Sequence, residues 1–256
     1  MRKKLLVIML TGLLFLSACL LGITAVFRVD SVTVESFVVS PQARAEVNKI
    51  SVRVNEAYNG DGILSADESE IEEILKDFPY FRLTSFKKEY PNRIRIEITE
   101  DREVYAVEGQ KENEYYILGG DGTVLEVRNS PLNRLDGSPN VTIKGLSVSG
   151  KKGEKLSGDE RIETLLKFFS RMDERLNGFR DNVKLVTVTE YNPEYTIETA
   201  EGVLICVANA SFMTEEKAEA AVNKYLSLSD QQRLHGKIMT GDDGEKVVVT
   251  YSDKIF

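Results

Sequence analysis

The chain has little of what most catalytic and metal chemistry uses. Among 256 residues there is no tryptophan, one histidine (His235) and two cysteines (Cys19 and Cys206). One histidine and two distant cysteines cannot build a tetrahedral zinc cluster, and they give no disulfide framework. Neither a G-x-S-x-G elbow nor a Walker phosphate loop occurs, so two common enzyme signatures are missing. Basic residues are also short: 33 against 41 acidic ones, for a net charge of −8. Three of the basic residues are Arg2, Lys3 and Lys4, so the remainder of the chain is more acidic still. That balance argues against nucleic acid or an anionic lipid surface as the main partner. No repeat or low-complexity tract stands out. A binding or structural role is expected, with no catalytic residue, metal or cofactor.

What the chain does have is a long apolar start. Leu5 to Phe27 carries no charge over 23 residues, after the basic Arg2-Lys3-Lys4. As a helix this run reaches about 34 Å, enough for a hydrocarbon core of about 30 Å. It predicts an N-terminal transmembrane helix over residues 5–27. The basic tail of residues 1–4 would stay in the cytoplasm, and the rest would lie outside the cell membrane. A rival reading rests on Leu16-Ser17-Ala18-Cys19, which has the form of a lipoprotein signal. Cys19 would then carry a lipid and anchor an extracytoplasmic binding domain. The apolar run continues past Cys19 as Leu20-Leu21-Gly22-Ile23, which favours the span.

The rest of the chain predicts an α+β protein in two parts. In residues 28–100, Val29 to Val34 reads as a strand. Ser40-Pro41 starts a helix whose apolar residues Val47, Ile50, Val54 and Tyr58 follow at helical spacing. Asn59-Gly60-Asp61-Gly62 stops it. A second helix from Asp67 carries Ile71, Ile74, Leu75 and Phe78 and ends at Pro79. Tyr80–Glu89 and Arg93–Thr99 read as strands, the second with Ile94, Ile96 and Ile98 on one face. Two helices on one face of a three-stranded sheet are expected.

Residues 101–252 read as a strand-rich β domain with two helices, followed by a short tail, 253–256. Strands are expected at Val104–Val107, Tyr115–Leu118, Val124–Val127, Val141–Ile143, Lys184–Glu190, Tyr195–Thr199, Val203–Ala208 and Lys246–Tyr251. Helices are expected over Leu156–Gly178 and from Thr214, the latter with Ala218, Ala221, Val222, Tyr225 and Leu226. Gly119-Gly120-Asp121-Gly122 reads as a hairpin turn rather than a phosphate or calcium loop. Asp67, Glu68, Glu70, Glu72 and Glu73 read as a solvated helix start rather than a metal site. Cys206, inside Val203-Leu204-Ile205-Cys206-Val207, reads as a buried inert thiol.

Taken as a whole, the layout resembles that of the bacterial FtsQ/DivIB cell-division proteins. Phe27-Arg28-Val29-Asp30-Ser31-Val32 looks like the start of the family's POTRA module, and Asp77-Phe78-Pro79-Tyr80-Phe81 like its helix-to-strand junction. Lys87-Lys88-Glu89-Tyr90-Pro91-Asn92 resembles its basic, proline-containing hairpin. Thr99 to Ala106 is similar to its interdomain junction, with Glu103 where proline is common. Tyr116 to Leu125 and Pro139 to Gly145 resemble two turns of its β domain. The resemblance implies a POTRA-like module followed by a β domain. It implies a single-span scaffold at the division septum that binds FtsL-like and DivIC/FtsB-like proteins and links them to septal wall synthesis. It also implies that a partner segment adds as a strand near the C-terminus. The matching residues here are Val247, Val248, Val249, Thr250 and Tyr251, an edge that would offer unpaired main-chain groups.

Overall fold

The computed structural model describes residues 9–15, 17, 22 and 26–254. Among these, no helix is long and apolar enough to cross a membrane. The expectation of a transmembrane helix over Leu5–Phe27 is therefore corrected. Of that run only residues 9–15, 17, 22, 26 and 27 are described, and their helical residues form no apolar span. Cys19 lies outside the described residues. The fold is α+β, and the chain divides into two units, Met1–Glu100 and Asp101–Phe256.

In the first unit, β1 (Ser31–Phe37), α1 (Pro41–Tyr58), α2 (Ser69–Lys76), β2 (Phe81–Glu89) and β3 (Arg93–Glu100) follow in order. The sheet order is β1-β3-β2, with β1 parallel and β2 antiparallel to the central β3. Alternation explains why β3 is central. Ile94, Ile96 and Ile98 are fully buried, as are α1 residues Ile50, Val54 and Tyr58 and α2 residue Ile71. The start of α1 is fixed by its own cap and by the end of β3. The Ser40 hydroxyl accepts the Ala43 N–H at 3.0 Å. The Glu100 carboxylate accepts the N–H groups of Val39 and Ser40 at 2.6 and 2.9 Å, and also the Ser40 hydroxyl. Ser40 thus satisfies one orphan donor of the helix while Glu100 satisfies two main-chain donors just before it.

The second unit holds a nine-stranded mixed sheet. Its strands are β4 (Tyr105–Glu108), β5 (Tyr115–Leu118), β6 (Val124–Arg128), β7 (Val141–Lys144), β8 (Val183–Val188), β9 (Tyr195–Thr199), β10 (Leu204–Val207), β11 (Lys237–Asp242) and β12 (Val247–Ser252). Helices α3 (Arg161–Arg175), α4 (Thr214–Leu226) and the short α5 (Asp230–Arg233), with a 3-10 turn at Phe179–Asn182, complete it. The sheet order is β12-β11-β10-β9-β8-β7-β4-β5-β6, so β12 and β6 are its edges. Helices α3 and α4 pack against each other. Their stripes Leu165, Phe168, Phe169, Met172 and Ala218, Ala221, Val222, Tyr225 bury into one core with Ile143, Val186, Ile197, Ile205 and Ile238 of the sheet.

Three elements differ from the sequence expectation, the first being the short α5, a third helix where two were expected. The helix expected from Leu156 begins at Arg161. The preceding residues are held in extended pairings instead: the Leu156 N–H donates to Gly122 O at 3.1 Å and Ser157 pairs with Ser149. Strand β11 was not expected at all, and its insertion beside β10 is what makes β12 an edge.

Candidate functional site

The outer side of β12 is built from the β11–β12 hairpin. At the turn, the Asp243 side chain accepts the N–H groups of Glu245 and Lys246 at 3.1 and 3.0 Å, and Gly244 supplies the positive φ of +92°. A short polar side chain followed by glycine is what such a turn requires.

Hydrogen bonds elsewhere in the sheet decide which way each β12 main-chain group points. The Leu204 N–H donates to Gly236 O at 3.1 Å and the Ala208 N–H to Thr240 O at 2.8 Å, so the even-numbered groups of β11 face β10. The Asp243 N–H donates to Lys246 O at 3.2 Å, so the odd-numbered ones face β12. In the antiparallel register Lys237↔Ser252, Met239↔Thr250 and Gly241↔Val248 are then the hydrogen-bonded pairs. Ile238↔Tyr251, Thr240↔Val249 and Asp242↔Val247 are the alternate pairs. The N–H and C=O groups of Val247, Val249 and Tyr251 therefore point away from β11, and no described strand pairs with them.

The side chains divide by the same alternation. Val249 and Tyr251 are half-buried against the core, while Val248 and Thr250 are exposed on the opposite face. Both ends of the strand are anchored. The Tyr251 hydroxyl lies 3.2 Å from both Gln232 O and His235 O. Burial, and then the neighbouring Asp253, push its pKa up to about 12, so it stays a neutral donor. At the turn end, the Asp242 carboxylate accepts from Lys217 of α4 at 2.6 Å. That contact holds the Asp242 carboxyl below the usual carboxylate range.

The other sheet edges are defended. β1 carries Glu35 within the strand. β2 carries Arg82, Lys87, Lys88 and Glu89, with a register shift between Leu83 and Ser85. β6 carries Glu126 and Arg128. β12 reads Val-Val-Val-Thr-Tyr-Ser, with no charge, no proline and no register shift. Charges, prolines and bulges are how natural sheets protect an edge from pairing, and β12 has none of them.

The remaining sequence candidates fall in structural places. Cys206 is buried in β10, and burial pushes its thiol up, away from thiolate reactivity. His235 is exposed, with Nε2 4.0 Å from Asp253. Asp121 sits in the turn joining β5 and β6, where its carboxylate takes the Thr123 N–H at 2.9 Å and the Lys155 ammonium. Asp67 accepts the Ser69 N–H at 2.7 Å at the start of α2. Among the described residues no group of three or more His, Cys, Asp or Glu side chains is placed to hold a metal ion.

Two features at this site escaped the sequence reading, β11 and Lys217. Lys217 stands four residues before Ala221 and eight before Tyr225, so it lies on the buried stripe of α4. That spacing was the available signal. No protein-family model matches this chain, and no curated protein matches it either.

Proposed function

We propose that this chain is a non-enzymatic scaffold of the bacterial division machinery, of the FtsQ/DivIB type, that takes a segment of a partner protein as an added strand along β12. The partners in this reading are DivIC/FtsB-like and FtsL-like proteins at the septum, and the outcome is regulation of septal wall synthesis. The observation that carries it is the open edge itself: Val247, Val249 and Tyr251 turn their main-chain donors and acceptors outward on an uncharged strand. Such groups give affinity to an incoming strand, and the flanking side chains give selectivity. The ordered resemblance along the chain, from Phe27 through Tyr251, supports the identity of the partners. The reading assigns no reaction and no cofactor.

Two proline variants test it. Proline lacks the main-chain donor and cannot continue a ladder. Val248→Pro removes a donor used within the sheet, so it should lower the melting temperature and disturb the fold. Val249→Pro removes an outward donor, so it should leave the fold intact and weaken binding. Each lost main-chain bond is worth roughly 0.5–1.5 kcal/mol net, a loss of about 3- to 10-fold in affinity. The assay titrates the full chain with the external segment of the DivIC/FtsB-like protein of the same genome, alongside thermal melts. Normal binding by a folded Val249→Pro variant would move the recognition site elsewhere.

A further inference from the structure

Lys217 is fully buried, and among the described residues no other lysine or arginine is. A buried ammonium is costly unless its donors are satisfied. Here Nζ donates to three acceptors: Ala208 O at 3.0 Å, Asn209 O at 2.6 Å and Asp242 Oδ2 at 2.6 Å. The Phe212 ring lies 5.7 Å from the same nitrogen. The three acceptors come from two places. Ala208 and Asn209 follow the end of β10, and Asp242 is the last residue of β11. Asn209 also donates through Nδ2 to the same Asp242 oxygen at 3.4 Å. One side chain of α4 therefore fastens the end of β10 and the turn end of the β11–β12 hairpin.

The position of that fastening bears on the edge. Asp242 stands opposite Val247, the first of the outward-facing residues. As an edge strand, β12 has one strand neighbour, so its line depends on β11, on α4 and on its two end anchors. Tyr251 anchors the far end through its hydroxyl. The turn end has the Lys217–Asp242 contact.

We propose that Lys217 is a positioning residue for strand recognition: through Asp242 it holds the turn end of the hairpin against α4, and so keeps the outward groups of Val247 and Val249 in line for an incoming strand. This rests on the reading of β12 as the recognition edge. The ammonium does not touch the partner. It acts through Asp242 and the β11–β12 ladder.

The test combines amide hydrogen exchange at residue resolution with the titration described above, on the full chain. Lys217→Met keeps length and apolar volume but removes the charge and its donors. Asp242→Asn is the milder variant, and it carries the same exchange test if Lys217→Met does not fold. Both variants should speed exchange of the Val248 amide, which pairs with β11 next to the turn. The Ser252 amide, at the Tyr251 end, and the Val186 amide of β8 should keep their protection. Affinity for the partner segment should fall about 3- to 10-fold, the loss of roughly one main-chain bond in line. Unchanged Val248 exchange would overturn the proposal. So would equal loss of protection at Val248, Ser252 and Val186, because the lysine would then serve only general stability. Localised exchange with undiminished affinity, when Val249→Pro does weaken binding, would also overturn it. Undiminished binding by Val249→Pro would instead sink the edge reading and the recognition role with it, while the exchange pattern would still decide whether Lys217 holds the hairpin.

Discussion

At one end of the nine-stranded sheet, Val124 at the start of β6 has its outward main-chain groups taken up by its own chain. The Val124 N–H donates to Glu154 O, and the Gly153 N–H donates back to Val124 O, both at 2.8 Å. Farther along, the Arg128 guanidinium reaches Ser130 O and Leu132 O and pairs with the buried Glu103 carboxylate. Glu103 in turn accepts the Arg134 N–H at 3.1 Å and the Asn140 amide at 3.2 Å. At the other end, β12 has no such cover among the described residues and no charge in its six residues. Each edge hairpin has a lysine–aspartate pair at its turn, but in opposite settings. Lys155 and Asp121 are both more than half exposed, whereas Lys217 is fully buried and Asp242 nearly so. The contrast teaches where this domain has spent polar groups. It closes one edge with local loops and keeps the other straight, bare and anchored from beneath.

The comparison breaks most visibly at Glu103. Glu103→Ala takes from the Arg128 guanidinium, only 16% exposed, its closer and more buried carboxylate and leaves it Glu126 at 3.4 Å. Removing one member of a buried pair costs about 3–5 kcal/mol. Calorimetric unfolding should show a loss of that order, and a change below 1 kcal/mol would mean that the node does not close the β6 side.

Acid titration is the next lever. The Asp242 carboxyl is held low by Lys217 first, and by Asn209 and its turn. Burial would raise Asp121, but Lys155 and Thr123 outweigh it and hold that carboxyl low as well. Both folded-state values lie below the unfolded value of about 3.9. Each group therefore contributes stability that is present above that pH and is lost as pH falls through the folded-state value. Stability measured between about pH 6 and pH 2 should decline only toward the acid end, and Lys217→Met should flatten that decline more than Lys155→Met does. Equal flattening by the two variants would erase the distinction between the hairpins.

The smallest effect belongs to the exposed pair. Lys155→Met should change stability by no more than about 1 kcal/mol, the usual range for surface ion pairs. A clearly larger loss in chemical denaturation would show that the loop over β6 depends on Lys155 as β12 depends on Lys217.

Much of the secondary structure was legible because local patterns and burial agree. Ile94, Ile96 and Ile98 alternate as a half-buried strand must, and Ser40-Pro41 caps and opens α1. The turn at Gly119 to Gly122 and the closing strand were legible on the same grounds. β11 was hidden because Lys237-Ile238-Met239-Thr240-Gly241-Asp242 has one strong β-branched apolar residue and ends in two poor strand formers. The apolar run at Leu5–Phe27 reads as a span, but among the described residues no helix is long and apolar enough to cross a membrane. Leu156 and Ser157 lie outside α3, since they pair with Gly122 and Ser149.

By itself the sequence determined most of the elements of residues 28–252 and their order, β11 and α5 apart, since capping, alternation and helical spacing act over a few residues. It also determined the scarcity of metal and nucleophile chemistry, which is a matter of composition. Only the tertiary structure decided that β1 runs beside β3, that Glu103 meets Arg128, and that Lys217 meets Asp242. It alone decided that β12 lies at the edge with Val247, Val249 and Tyr251 facing outward. Those are pairings between residues far apart in the chain, and the direction of a main-chain N–H follows from register with a neighbouring strand, which no local pattern encodes.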